Sequence, residues 1–103
     1  MTVQGSPASP LPPDEIAVAL SALGGWEAEE GGAALIKTFR FKDFARAFGF
    51  MAAVAVHAER RNHHPEWSNV YDVVRVRLSS HDAGGVTERD LELARFMDEA
   101  AGA

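Results

Sequence analysis

Residues 59–81 of the chain are ERRNHHPEWSNVYDVVRVRLSSH. The stretch holds three of the four histidines of the protein, as the adjacent pair His63-His64 and as His81. Between them, residues 73–78 alternate apolar and basic side chains after the first valine, which predicts a strand with one face in the core. The proline after His64 favours an extended backbone at that histidine, so a turn just before it is needed for the pair to share a cleft.

The rest of the chain extends this pattern in both directions. The predicted elements are a helix over 12–23, a hairpin of strands 26–29 and 33–41, a helix over 43–61, an extended segment over 65–80 divided by a bend or into two strands, and a helix over 87–100. The order α-β-β-α-β-β-α favours an α+β fold. We expect a two-layer sandwich in which three helices pack on one face of a four-stranded antiparallel sheet.

Several side chains carry more specific expectations. The residues expected on the buried side of the second helix are Phe44, Phe48, Met51, Ala52, Ala55 and Val56. Gly49 lies inside that helix, where glycine is unfavourable, and predicts close packing against a neighbouring element. Lys37 interrupts the apolar alternation of its strand and indicates a strand that lies near a sheet edge or is buried only at one end. Trp67 and Tyr71 are expected in the core, and His57 on the surface of its helix.

Composition limits the classes of function. The 103 residues predict a single domain over 11–103 preceded by a disordered arm, residues 1–10. The net charge of −5 argues against nucleic acid as a partner, and the absence of cysteine excludes disulfides, thiolate metal sites and a cysteine nucleophile. The longest nearly apolar run, 48–56, is far short of the roughly 20 residues that span a bilayer. We expect a cytoplasmic protein with small-molecule or protein partners.

The histidines are the residues best suited to chemistry. Imidazole has an unperturbed pKa of about 6.5, so it both donates and accepts protons near neutral pH. Glu59 precedes His63 by four positions at the end of a predicted helix, where its carboxylate can orient an imidazole. A structural histidine pair and a three-histidine zinc site remain as alternatives. We expect Thr87 and Asp90 to form a capping box at the start of the last helix.

The spacing of these residues resembles the signature of the pterin-4a-carbinolamine dehydratases. That signature is an acidic residue, three positions, His-His-Pro, five positions, an aromatic residue, nine positions, His, and a later Asp. The matching residues here are Glu59, His63-His64-Pro65, Tyr71, His81 and Asp90. The resemblance extends from about Pro12 to Ala100.

The resemblance implies an enzyme, a hydro-lyase that uses no metal and no cofactor. It would convert a 4a-hydroxytetrahydropterin, left by an aromatic amino acid hydroxylase, into the quinonoid dihydropterin and water. The catalytic residues would be His63, His64 and His81, with His64 and His81 as the acid–base pair and His63 holding the ring together with Glu59. The other residues expected at the substrate are Asn62, Ser79, Ser80, Asp82 and Trp26.

The resemblance also implies an assembly of chains. Relatives form dimers and tetramers, and an uncovered edge strand offers unpaired backbone groups to a second copy, so we expect a homodimer or homotetramer. The alternative function is a non-catalytic dimerisation cofactor of a transcription factor, which would act through a helix contact rather than through the histidines.

Overall fold

The computed structural model describes residues 9–102, and the predicted order of elements is confirmed. The elements are α1 (Pro13–Leu20), β1 (Glu27–Ala28), β2 (Leu35–Arg40), α2 (Phe44–Arg61), β3 (Glu66–Val70), β4 (Val73–Leu78) and α3 (Glu88–Ala100). Short 3₁₀ turns occupy Glu30–Gly32 and His81–Ala83. The predicted arm lies outside the described residues except for Ser9 and Pro10. Within 9–102, no helix has the length and apolar character needed to cross a membrane.

The four strands form one antiparallel sheet in the order β1-β2-β4-β3. One face of the central strands is buried, with Val74 and Val76 of β4 beside Leu35 and Phe39 of β2. Helix residues complete this core, among them Ile16, Phe50, Val54, Leu91 and Met97. Arg75, which lies between Val74 and Val76 on the opposite face of the sheet, is exposed. The α+β sandwich expected from the sequence is therefore confirmed.

Helix α2 is placed correctly by the sequence, but the predicted buried face is wrong. Asp43 caps the helix as expected, because its carboxylate accepts a hydrogen bond from the backbone of Arg46 at 2.8 Å. The buried residues are Ala47, Phe50, Val54 and Ala58. Phe44, Phe48 and Val56 are 47%, 58% and 60% exposed. Apolar side chains surround this helix, so their spacing alone does not select the face that packs on the sheet.

Two further expectations about packing are wrong for the single chain. A Cβ added at Gly49 would meet no atom within 4 Å, so this glycine does not mark close packing against a neighbouring element. Tyr71 is 63% exposed and has a φ of 53° in the turn between β3 and β4, because that tight turn points its side chain away from the core. Trp67, in contrast, is half-buried against the core as expected.

Lys37 lies on the helix side of β2, directly after Leu35 and Ile36, the two residues that pair with β1. The side of β2 that faces β1 is therefore uncovered from Lys37 onward, in agreement with the expected position near a sheet edge. Its ammonium donates to Asp98 Oδ1 at 2.9 Å and to the Gly24 carbonyl at 2.6 Å. Trp26 Nε1 donates to the same Asp98 oxygen at 2.9 Å. The Lys37 side chain also lies over the Phe39 ring, 4.6 Å from its centroid. The Asp98 carboxylate thus joins the β1–β2 region to α3, which explains how a lysine is accommodated on this face.

We expect Asp98→Ala to lower the free energy of unfolding by about 2 kcal/mol, because the Lys37 ammonium and the Trp26 N–H would lose their shared acceptor. Glu99→Ala, at the neighbouring exposed position, is the matched control and should change stability by less than about 0.5 kcal/mol. Urea denaturation monitored by circular dichroism measures both. Equal effects of the two substitutions would contradict this role of Asp98.

Candidate active site

His63 lies where α2 ends and is held by a buried carboxylate. Asn62 adopts the left-handed conformation at the C-cap, which turns the chain out of the helix. His63 Nε2 then lies 2.6 Å from Asp90 Oδ1. The other oxygen of Asp90 accepts hydrogen bonds from the Ser80 hydroxyl at 2.8 Å and from the Thr87 backbone at 2.9 Å. Asp90 is fully buried, so the His63 ring has a fixed position and a fixed hydrogen-bond partner.

His64 has a different environment from its neighbour. Its side chain is 54% exposed, and its Nε2 lies 2.9 Å from Glu59 Oε1. The imidazole that the Glu59 carboxylate contacts is therefore that of His64. The turn at Asn62 carries His63 inward to α3 and leaves His64 on the side where Glu59, one helical turn earlier, can reach it.

His81 is exposed at the start of the turn that follows β4. The turn is closed by hydrogen bonds from the backbones of Ala83 and Gly84 to the Ser80 carbonyl, each 3.0 Å. It is also joined to α3, because Arg89 donates to Asp82 at 2.7 Å. The hydrogen bond from the Arg89 guanidinium holds the pKa of the Asp82 carboxyl below its usual range. The contact limits the movement of the segment that carries His81.

These side chains surround one open cleft of about 380 Å³, which we call the histidine cleft. Its lining residues are Asn62, His63, His64, Ser79, His81, Asp82 and Arg89. The structure therefore brings together all three histidines of the sequence pattern and three of the residues expected beside them. Two of the imidazoles have carboxylate partners, and two of the three are open to solvent. Their action on a ligand stays a prediction.

Three residues expected at the substrate have other positions. Ser80 is 1% exposed and supports Asp90 from within the core. Trp26 is 4% exposed, packs edge-on against Phe39 and donates to Asp98, so it does not line the histidine cleft. Glu59 lies outside the lining and reaches the cleft through its contact with His64. Trp26 is therefore a core residue in this chain, whereas Ser80 and Glu59 support the cleft.

Two residues on α3 contribute more than the sequence indicated. Asp90 forms the expected capping box with Thr87, and the same carboxylate also positions His63. Asp90 belonged to the sequence signature, but the only role expected for it was in capping the last helix. Arg89 was not anticipated, because its partner Asp82 lies across a loop and no local periodicity relates the two. In the described part of the chain, no group of three or more His, Asp or Glu side chains is arranged to hold a metal ion.

Comparison with known proteins identifies relatives along almost the entire chain. The sequence model of the family described as Pterin 4 alpha carbinolamine dehydratase matches residues 9–100. A Rhodopseudomonas palustris protein is 60% identical over 83 residues, which cover 81% of this chain and 82% of that protein. A Bordetella avium protein is 56% identical over 87 residues, which cover 84% of this chain and 81% of that protein. Both carry the name pterin-4-alpha-carbinolamine dehydratase as a provisional assignment.

Solved structures share the fold. A Brucella melitensis protein described as a transcriptional coactivator/pterin dehydratase superimposes with a TM-score of 0.88 at 48% identity, covering 91% of this chain and all of that one. A pterin dehydratase-like protein identified as a RuBisCO assembly factor in the alpha-carboxysome superimposes with a TM-score of 0.67 at 24% identity. The match covers 77% of this chain and 92% of that one. The second similarity extends to the fold alone.

Stability measurements should separate the buried part of the site from the exposed part. We expect Asp90→Ala to cost about 3 kcal/mol or more, because His63, Ser80 and the Thr87 backbone would lose one shared acceptor inside the protein. His64→Ala should change the free energy of unfolding by less than about 0.5 kcal/mol, because that side chain is largely exposed. Urea denaturation of both variants tests this. An Asp90→Ala variant as stable as His64→Ala would contradict the proposed arrangement.

Proposed function

Because the chain belongs to the pterin 4 alpha carbinolamine dehydratase family, we propose that it dehydrates a 4a-hydroxytetrahydropterin to the quinonoid dihydropterin and water. The observation that supports this best is the convergence of His63, His64 and His81 on one open cleft. The fixed imidazole suits substrate binding, and the exposed ones suit proton exchange with solvent. The reaction would serve tetrahydropterin recycling after an aromatic amino acid hydroxylase.

The reaction requires two proton transfers at neighbouring atoms of the substrate. The C4a–O bond breaks as the departing hydroxyl gains a proton, and a C4a=N5 double bond forms as N5 loses one. We assign these transfers to His64 and His81, one as acid and the other as base. Such transfers each contribute typically about 10²–10⁴-fold to a rate. Because both imidazoles are open to water, solvent can restore their protonation states after each turnover.

His63 is assigned to binding rather than to proton transfer. Its hydrogen bond to the buried Asp90 carboxylate fixes the position and orientation of the ring. A fixed imidazole of this kind can hold the polar edge of a pterin and orient it toward the other two histidines. The neighbouring side chains of Asn62, Ser79 and Asp82 add hydrogen-bonding groups at the rim of the cleft. Glu59 supports His64 in this scheme, since the two are in contact.

Substitution of the two exposed histidines tests the acid–base assignment. We expect His64→Ala and His81→Ala each to lower kcat by at least about tenfold, and up to about 10⁴-fold, because each removes one proton transfer. His63→Ala should mainly raise KM. Water loss from chemically generated 4a-hydroxytetrahydropterin, followed by absorbance against the uncatalysed reaction, gives both constants.

The control for this experiment is Arg60→Ala, an exposed position at the end of α2 that does not line the histidine cleft. It should leave kcat and KM unchanged. Full activity of both His64→Ala and His81→Ala would overturn the assignment of these residues. A wild-type rate no faster than the uncatalysed one would overturn the proposed reaction and favour a role in protein interaction.

We also propose that the protein assembles as a homo-oligomer through the exposed face of α2. This face presents Phe48 and Val56 together with the small residues Ala45, Gly49 and Ala52. No Asp, Glu, Lys or Arg occurs between Arg46 and Glu59. The open space at Gly49 lets another backbone approach closely. The same face is the feature that favours the alternative function, a non-catalytic interaction protein, which would use it to bind a different chain.

A charge placed on this face should dissociate the assembly. We expect Phe48→Glu to lower the mass measured by light scattering to that of one chain, because a carboxylate would be buried without a partner at the interface. Val18→Glu is the matched control, since Val18 is a 72% exposed apolar residue on α1. A wild-type mass of one chain would overturn the proposal, as would equal effects of the two substitutions.

A further inference from the structure

Two clusters of charged side chains outside the histidine cleft are satisfied within the chain. His57, which was expected on the helix surface, is half-buried, because its ring stacks on Phe96 and its Nε2 lies 3.0 Å from a carboxylate oxygen of Glu92. The Arg77 guanidinium donates to both carboxylate oxygens of Glu29, at 2.8 and 2.9 Å. The edge of the sheet at β1 differs from both clusters, because within residues 9–102 its outer backbone groups have no backbone partner.

Ala28 presents its backbone N–H and C=O to the outside of the sheet. The register pairs Ala28 with Leu35, and the next pair along the ladder is hydrogen-bonded, since the Glu29 N–H donates to the Ala34 carbonyl at 2.8 Å. Hydrogen-bonded and non-hydrogen-bonded pairs alternate in an antiparallel ladder, so the backbone groups of Ala28 point away from β2. An extended segment placed along β1 can therefore donate one hydrogen bond to Ala28 and accept one from it.

An apolar cleft adjoins this edge on the helix side of the sheet. This β1 cleft has a volume of about 380 Å³ and lies between α1 and the segment that starts at β1. Its lining residues, none of them charged, are Pro13, Ile16, Ala17, Leu20, Ala28, Gly31 and Gly32. A Cβ added at either glycine would meet no atom within 4 Å, so this wall leaves open space. The cleft can therefore bury one large apolar side chain, such as that of leucine or phenylalanine.

The register of the sheet determines which side chains of an added segment enter the β1 cleft. Ala28 lines that cleft on the helix side, so a residue placed opposite Ala28 directs its side chain into the cleft as well. The residues before and after it direct their side chains to the open face of the sheet, where they lie opposite Glu27 and Glu29. One apolar residue between two residues of another kind is the pattern that fits.

The charge of this edge indicates what the two flanking residues are. Glu27, Glu29 and Glu30 follow one another closely, and no Lys or Arg occurs between positions 27 and 36. Arg77 binds Glu29, whereas Glu27 and Glu30 are exposed and form no ion pair within the part of the chain that the structure describes. Opposite charges on directly facing strand residues are favourable and like charges are not. The flanking residues of a fitting segment are therefore lysine or arginine.

We propose that the β1 edge binds an extended segment of a partner protein in which one large apolar residue is flanked on both sides by lysine or arginine. The segment adds a strand antiparallel to β1, and its apolar side chain enters the β1 cleft. Its basic side chains lie beside Glu27 and Glu29. The β1 cleft and the histidine cleft share no lining residue, so this interaction is independent of the proposed reaction.

The test uses the full chain and a capped, fluorescently labelled peptide, Ser-Lys-Phe-Lys-Ser, whose Kd is measured by fluorescence anisotropy. We expect saturable binding with a Kd below about 1 mM. Replacing the phenylalanine by alanine should weaken binding by at least about tenfold, because the cleft would lose its buried side chain. Replacing both lysines by glutamate should weaken it by at least about fivefold. N-methylation of the phenylalanine amide, which removes the donor to the Ala28 carbonyl, should also weaken it about fivefold.

Substitutions in the protein determine where the peptide binds. Ala17→Trp should weaken binding by at least about tenfold, because the indole would occupy the β1 cleft in place of the phenylalanine. Val18→Trp, at the adjacent exposed position of α1 outside the lining, is the matched control and should leave the Kd unchanged. Ala28→Pro should weaken binding about fivefold, because proline removes the outward N–H and is tolerated at a sheet edge. Thermal denaturation checks that each variant is folded.

Three results would overturn the inference. They are a wild-type Kd weaker than about 1 mM, equal Kd values for the phenylalanine and alanine peptides, and equal effects of Ala17→Trp and Val18→Trp. A lower mass of Ala28→Pro than of the wild type in light scattering would also overturn it, because the edge would then pair with a second copy of the chain. Peptide binding is measured without substrate, so failure of the proposed reaction leaves this test unaffected.

Discussion

The buried carboxylate of Asp90 is the interaction on which the site depends. A charge in the core is tolerated only when its hydrogen-bonding capacity is satisfied, and here the donors are His63, Ser80 and the Thr87 backbone. These donors come from three separate places: the segment after α2, the segment after β4 and the start of α3. Satisfying one carboxylate therefore fixes the relative positions of the three segments that form the histidine cleft.

The same constraint gives the histidines different properties. His63 is bound to the structure and has little freedom to move, whereas His64 and His81 lie on exposed segments close to it. An acid–base pair must exchange protons with water after each reaction, and a binding group must keep its geometry. In the proposed mechanism, the division between one fixed and two exposed imidazoles would meet both requirements.

The sequence predicted some of these features better than others, for physical reasons. The strand at 73–78 was predictable because one sheet face is apolar and the other charged, so alternation reveals its orientation. In α2 the apolar residues surround the helix, and only tertiary packing selects Ala47, Phe50 and Val54 as the core face. The cleft histidines were recognisable from their spacing. The role of Arg89 and the contacts of His63 with Asp90 and of His64 with Glu59 were not recognisable, since they depend on a turn and a loop that bring distant residues together.

Helix α2 also connects the site to the proposed assembly. Its exposed apolar face ends at Glu59, the residue that contacts His64. If a second chain covers that face, water is removed from the vicinity of Glu59, and the attraction between its carboxylate and a protonated His64 becomes stronger because the local dielectric constant falls. Assembly would therefore be coupled to the histidine cleft through the contact between Glu59 and His64 at the end of one helix, although the apolar face itself does not line that cleft.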